Sequence, residues 1–150
     1  MLRLIEISEG GTAILPGGDV PDLVIDLCLA YDRIYRERGF VRPWVGYLAV
    51  RDGEKGAEIV GACGFKGPPL DGRVEISFLT FRAFERQGVA TRMARELVGI
   101  AQGADERVQV YARTPPKESE AGGVLRRAGF RCEGVADDPE DGAIWEWVLD

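Results

Sequence analysis

The sequence contains no histidine. That excludes a histidine general base, Ser-His-Asp and Cys-His nucleophilic sites, and most zinc centres. A proton acceptor must then be a carboxylate, a tyrosine, a backbone carbonyl or a relayed water. Cysteine is sparse: Cys28, Cys63 and Cys132 are odd in number and widely spaced. They form neither a metal motif nor a disulfide framework and read as small buried hydrophobes. No metal is expected. No apolar run approaches membrane-spanning length, and the first residues lack the basic-then-apolar order of a signal peptide. The expectation is a cytoplasmic location with no membrane partner. Positive charge is outnumbered, with a formal net charge of −6. That argues against a nucleic-acid partner, which requires a basic face. Arg82, Arg86 and Arg92 still supply a local basic cluster.

No repeat, low-complexity tract or linker divides the chain. Residues 1–150 therefore read as one domain, long enough to bury a real core. The organising stretch is Val74–Gly103. A β-like run ends near Phe81, and a polar turn follows, centred on Gln87-Gly88. A helix then begins, with Val89, Met93, Leu97 and Ile100 on one stripe. Its first N–H groups have no intrahelical acceptor, and the helix dipole directs its positive end to the same place. Gly88 lets the backbone approach a ligand, and Ala90 keeps the entrance open. Glu85–Thr91 thus reads as an anion cradle or as a plain strand-to-helix turn. It is neither a Walker A loop nor a Rossmann fingerprint, because the required glycines and lysine are missing.

The remaining elements follow from periodicity and punctuation. Leu2–Ile7 reads as a strand, and Gly10-Gly11 and Gly17-Gly18 as loops. Pro21 opens a helix that Asp19 could cap and that closes at Arg38 before Gly39. Leu23, Val24, Leu27, Cys28, Tyr31, Ile34 and Tyr35 form its inner face. Trp44–Arg51 and Glu58–Phe65 predict a hairpin turning at Asp52-Gly53. Arg73–Phe81 is a strand, Gly88–Gln102 a helix, and Arg107–Ala112 a strand. Glu118–Ala128 is a short helix stopped by Gly129. Phe130–Val135 and Ala143–Leu149 are strands around an acidic loop, Asp137–Gly142. The order is β-α-β-β-β-α-β-α-β-β. Hairpins imply antiparallel pairs, while the crossover from Arg73 to Ala112 requires a parallel neighbour.

Phe78–Thr91 and the helix after it resemble the acyl-CoA motif of the GNAT N-acetyltransferase superfamily, Gln/Arg-x-x-Gly-x-Gly/Ala. Glu85–Ala90 occupies that motif. Trp44–Phe65 looks like the central hairpin of that family. Glu118–Phe130, ending Val-Leu-Arg-Arg-Ala-Gly-Phe, looks like its late helix. The likeness covers nearly the whole chain and is closest to the branch with ribosomal-protein alanine acetyltransferases, on the Val-Glu-Ile before the loop. It implies an α/β (α+β) fold: a mixed, mostly antiparallel sheet, helices on both faces, and a parallel strand pair splayed at the acyl-CoA site. Two departures stand out. Glu85 replaces Gln or Arg, so Arg86 and Gln87 must do more. Ser119 and Ala121 stand where Asn and Ser are frequent.

The resemblance implies roles for individual residues. Phe78 and Thr80 would bond the pantetheine arm of acetyl-CoA, and an N–H near Leu79 would polarise the thioester carbonyl. The pyrophosphate would sit on the N–H groups of Gln87, Gly88, Val89, Ala90 and Thr91, beside Arg86. Glu75, on a strand alternating Val74, Ile76 and Phe78 against Glu75, Ser77 and Leu79, is the candidate base. A carboxylate there must be paired or face a wet cleft. It would take the amine's proton or bind its charge. The other reading is a structural ion pair with Arg73 or Arg113. The late tyrosine of the family is not evident. Tyr111 and Ser119 could protonate the leaving thiolate, or serve as a packed aromatic and a helix N-cap. Residues Tyr31–Trp44 and the loop before Trp145 would line the acceptor, a small-molecule amine or a peptide; Asp137, Asp138, Glu140 and Asp141 would attract its charge or form a solvated acidic loop. Trp145 and Trp147 place core or a dimer interface on the last strand, and a homodimer is compatible with the family. The implied activity is acetyl transfer to an amine by direct attack. The alternatives are a non-catalytic acyl-CoA-binding or regulatory module and, less well supported, a nucleotide-binding module.

Overall fold

Among the described residues, seven strands join one sheet and three α-helices cover it, in the expected order. The structure is a computed structural model describing residues 2–13, 20–54 and 56–150. The first half runs β1 (Leu2–Glu6), α1 (Asp22–Arg38), β2 (Gly46–Gly53), β3 (Gly56–Phe65) and β4 (Arg73–Thr80). The second runs α2 (Val89–Ala104), β5 (Gln109–Thr114), α3 (Glu120–Arg127), β6 (Phe130–Asp138) and β7 (Gly142–Leu149). In space the strands lie β1-β2-β3-β4-β5-β7-β6. Among the described strands only β4 and β5 pair in parallel. This is the mixed, mostly antiparallel α/β sheet with helices on both faces that the residue pattern implied.

α1 packs on one face through Val24, Cys28, Tyr31 and Tyr35, all buried. Two glycines make room for it. A Cβ on Gly46 would overlap the Tyr31 ring, and one on Gly64 would meet the Tyr31 hydroxyl at 2.9 Å. The tyrosines then repay their burial with hydrogen bonds. Tyr35 donates to the Ile7 carbonyl at 2.7 Å and accepts from the Gly46 N–H at 2.8 Å. Tyr31 and Ser77 on β4 share a hydrogen bond of 3.3 Å. These contacts tie α1 to the strand that carries the candidate chemistry.

α2 and α3 cover the opposite face. α2 buries Val89, Met93, Ala94, Leu97 and Ala101, at helical spacing. α3 sits over Trp147, whose ring leaves no room for a side chain at Gly122. The Trp147 indole N–H donates to the Thr114 hydroxyl at 2.8 Å in the buried interior. Trp147 is therefore core, while Trp145 is only partly buried.

Several boundaries shift. The β2–β3 ladder continues to Gly53↔Gly56, so the turn lies beyond Asp52-Gly53. The β6–β7 ladder extends to Asp138↔Gly142, so half of the expected acidic loop is strand. Alternation there is masked by acidic residues on exposed edges. β5 reaches Thr114, because that residue is held by Trp147 rather than released by the prolines. A 3₁₀ turn, Arg82–Phe84, separates β4 from the cradle. Leu23 is exposed rather than on the inner face of α1. The cap expected at Asp19 and the Gly17-Gly18 loop lie outside the described residues. Within them Pro21 occupies the N-cap position.

Candidate active site

The parallel pairing of β4 and β5 is short. It runs Arg73↔Gln109, Val74↔Val110 and Glu75↔Tyr111, and then stops. β4 continues to Thr80 paired only with β3. β5 turns its other edge to β7 through Thr114. The sheet is thus forked from Glu75 and Tyr111 onward, as the splayed pair required.

Hydrogen-bond alternation decides which backbone groups the fork exposes. Phe81 donates its N–H to Val60, and Lys66 donates its N–H to the Glu75 carbonyl. With the register Phe65↔Ile76, Cys63↔Phe78 and Gly61↔Thr80, odd-numbered β4 residues point their N–H and C=O toward β3. Phe78 and Thr80 point theirs into the fork. The amide of Leu79 faces Ala62. Leu79, 45% exposed, thus lines the fork without offering its own N–H to it.

A cleft of about 620 Å³ opens on the fork. Phe78, Leu79, Thr80, Arg86, Gly88, Val89, Ala90, Thr91 and Ser119 line it, together with Glu85 and Arg127. Gln87 is exposed beside it. Nearly all the residues expected at the acyl-CoA site thus share one cavity. Gly88 sits at the N-cap of α2 with φ 79°, and Arg86 is also left-handed at φ 62°. Among the described residues, no backbone N–H from Arg86 to Thr91 finds a backbone acceptor, whereas Arg92 bonds the Gly88 carbonyl. Unpaired N–H groups at a helix N-terminus are the groups an anion binds.

Arg127 was not foreseen. It leans from α3 across the cleft and bonds the Thr91 hydroxyl at 3.3 Å. Ser119, Gly123 and Arg127 recur every four residues, so the helical period of the late helix carried the signal. Ser119 is the N-cap of α3 and accepts the Gly122 N–H at 3.2 Å. The hydroxyl keeps that bond while facing the cleft.

Glu75 lies on the other face of the sheet. Its side chain, 14% exposed, lines a second cavity of about 650 Å³ with Lys66, Arg113, Pro115, Asp138, Glu140 and others. The fork apex lies between the two cavities. Glu75 pairs with Lys66 at 3.5 Å rather than with Arg73 or Arg113. Those two arginines both turn to Glu146. Arg113 also bonds Asp138 at 2.7 Å. Burial works against the Arg113 charge, but Glu75, Tyr111, Glu146 and Asp138 outweigh it and hold its pKa above the ordinary value. Asp138 accepts the N–H groups of Asp141 and Glu140 and pairs with Arg113, which hold its pKa below the ordinary carboxylate value.

Tyr111 meets two guanidiniums on this face. The Arg73 guanidinium lies 4.1 Å from its ring centroid and that of Arg113 lies 5.6 Å away. Burial, followed by the Glu75 charge, raises its pKa. Of the expected acceptor lining, residues 138–141 are present. Tyr31, Tyr35 and Trp44 are instead buried core. Among the described residues, no group of three or more His, Cys, Asp or Glu could hold a metal ion. No described helix is long and apolar enough to cross a membrane.

Residues 25–131 match the family model described as acetyltransferase (GNAT) domain. No curated protein matches the sequence. Among solved structures, the chain is similar to the aminoglycoside acetyltransferase AAC(6')-Ib in complex with coenzyme A. The identity is 22% and the TM-score 0.58, over 70% of this chain and 65% of that one. The chain thus spans under two thirds of the length of that neighbour. It is similar to RimL, a ribosomal L7/L12 alpha-N-protein acetyltransferase in complex with coenzyme A. That match is 14% identical with TM-score 0.61, over 85% of this chain and 71% of that one. An acetyltransferase from Agrobacterium tumefaciens aligns with TM-score 0.62 at 17% identity, over 89% of this chain and 74% of that one. At such identities the likeness is one of fold.

Proposed function

The chain belongs to the GNAT acetyltransferase family, and from that premise we propose that it transfers an acetyl group from acetyl-CoA to a primary amine by direct attack. The carrying observation is the fork. Parallel pairing ends at Glu75↔Tyr111, and the freed β4 edge shares a cleft with the N-terminus of α2. In this reading the pantetheine arm bonds Phe78 and Thr80 as an added strand. The pyrophosphate lies on the N–H groups of Gln87–Thr91, beside Arg86 and Arg127. Two guanidiniums offset the acidic Glu85 at the first motif position.

The thioester carbonyl then lies at the apex, against the first free β4 donor, the Phe78 N–H. Charge develops on that oxygen in the tetrahedral intermediate, and a fixed donor stabilises it. The amine enters from the opposite cavity. Glu75 takes its proton, directly or through water, or first binds it as the ammonium. Among the described residues no cysteine lines either cavity, as a thiol nucleophile would require, and Cys63 is fully buried, with burial raising its thiol pKa strongly. Ser119, in the donor cleft, is the hydroxyl on the route of the leaving sulfur. The acceptor is a small-molecule amine or a peptide amine. Most of the rate comes from positioning and the backbone donor.

The test is to mix the protein with acetyl-CoA and a panel of small amines and peptides, and to follow free thiol. The expected result is amine-dependent thiol release. Tight coenzyme A binding without turnover across a broad panel would favour a non-catalytic acyl-CoA-binding module, the reading that Glu85 in the motif allows. Absence of coenzyme A binding would defeat both.

A further inference from the structure

We infer that Lys66 is an acetyl acceptor of this protein's own site, modified within the same molecule. The inference rests on the acetyltransferase reading above. Lysine is scarce here, with only Lys55, Lys66 and Lys117 in the sequence. One of the three places its amine on the candidate base. Lys66 Nζ lies 3.5 Å from Glu75 Oε2. That is where an incoming ammonium must sit to surrender its proton.

The position is built by the fold. Lys66 follows β3 directly and donates its backbone N–H to the Glu75 carbonyl at 2.9 Å. The two residues are therefore opposite one another, one step beyond the Phe65↔Ile76 pair, with side chains on the same face. Arg38 pins the segment from the other side, bonding the Lys66 carbonyl at 2.9 Å and the Pro68 carbonyl at 3.1 Å. The side chain is half exposed and lines the cavities on both sides of Glu75. It combines a fixed Cα with a half-exposed amine beside Glu75.

The step balances with acetyl-CoA as the sole co-reactant. The Lys66 ammonium gives a proton to Glu75. The freed nitrogen pair attacks the thioester carbonyl carbon. The C–S bond breaks, and its electron pair leaves on the coenzyme A sulfur. A second proton leaves the nitrogen, so the products are a neutral acetamide, a coenzyme A thiol and a protonated Glu75. The acetamide can no longer pair with the Glu75 charge, so the reaction occurs once per chain.

The experiment is to incubate the full-length protein with acetyl-CoA and no added amine. Intact mass and peptide mapping then follow the modification. One acetyl group on Lys66 is expected, at a rate independent of protein concentration. It should outpace Lys55 and Lys117 by about tenfold or more and slow by roughly a hundredfold in Glu75→Gln. Lys66→Arg should lose it. Equal labelling of the three lysines, or an unchanged Lys66 rate after unfolding in urea, would reduce it to solution chemistry and overturn the inference. So would a rate rising with protein concentration. Turnover of external amines with Lys66 unmodified would refute self-acetylation and leave the acetyltransferase reading standing. Failure to bind coenzyme A would remove both.

Discussion

Glu75 and Tyr111 are the last residues at which β4 and β5 pair as parallel strands. Past them the two strands take different partners, β3 on one side and β7 on the other. A sheet split inside its core exposes backbone donors that must be satisfied by something. Phe78 and Thr80 supply that edge on β4. The same divergence leaves Glu75 at the apex, with its carboxylate on the face opposite α2. One topological event thus opens a cleft on one face of the sheet, a cavity on the other, and places a carboxylate at the apex.

Replacing Glu75 with Gln keeps the shape and removes the proton acceptor. Turnover near neutral pH should fall by about two to four orders of magnitude, the usual contribution of a general base. Coenzyme A affinity should stay within about twofold, because the carboxylate faces away from the donor cleft. Steady-state thiol release and calorimetric titration with coenzyme A measure the two effects separately. Unchanged turnover across pH would remove Glu75 as base and as amine ligand.

Gly88 separates backbone strain from steric blockade. A Cβ there has nothing within 4 Å, yet its φ of 79° is left-handed. Gly88→Ala should therefore cost about 1 kcal/mol of stability, from backbone conformation alone. Gly88→Glu adds an acidic side chain at the mouth of the cradle. It should abolish detectable coenzyme A binding while melting close to the alanine variant. Calorimetric binding with parallel thermal denaturation checks both, and normal affinity in the glutamate variant would refute the placement of the pyrophosphate.

These residues also mark how far the sequence could be read. Element order, the fork and the grouping of Phe78–Thr80 with Arg86–Thr91 around one cleft were legible because each has a local signature. Gln87-Gly88 before an apolar helical stripe is one, and the isolated Glu75 in an apolar strand is another. The partners of Glu75 were not legible. Both guanidiniums nearby are taken by Glu146, which sits on β7 and reaches them only because β5 pairs with that strand. Long-range register of this kind has no local signature. Which amide near Leu79 faces the fork was not legible either, for a related reason. Alternation tells which side chains share a face, but the pairing phase with β3 decides which amides are used. The strands around the acidic turn were shortened because Asp137 and Asp138 disguise the ladder that carries them.

Asp138 gives the stability of the fold a pH dependence. Its folded-state pKa lies below the ordinary carboxylate value of about 4, held down by the Asp141 and Glu140 N–H groups and by Arg113. A depressed carboxylate contributes stability that is fully present above its unfolded pKa. That contribution is lost as pH falls through the folded value. Asp138→Asn keeps an oxygen for the two N–H groups and loses the charge facing Arg113. The wild type should be the more stable of the two at pH 7, and the gap should close below about pH 4. Urea denaturation midpoints from pH 7 to pH 2 measure it. A gap that persists at the acid end would show that the charge is not its source.

Tyr111 and Ser119 are the two hydroxyls that could protonate the departing sulfur, and the fork separates them. Ser119 lines the donor cleft. Tyr111 lines a cavity on the Glu75 face, its ring held between Arg73 and Arg113. Burial and the Glu75 charge raise the phenol pKa, which makes it a poorer proton donor. Its ring instead spaces the two guanidiniums that converge on Glu146. Tyr111→Phe keeps that ring and should leave turnover within about twofold of wild type, whereas proton donation is worth about a hundredfold or more. Tyr111→Leu removes the π-face and should lose about 1 kcal/mol of stability, from the cation–π contacts. Ser119→Ala removes both the cap and the hydroxyl. Ser119→Asp restores the cap without a donor at neutral pH. If Ser119 protonates the thiolate, both Ser119 variants should lose turnover equally while only the alanine variant loses stability, by about 1 kcal/mol. Recovery of turnover in Ser119→Asp would assign Ser119 to the cap alone. Pre-steady-state thiol release measured alongside thermal melts distinguishes the two outcomes.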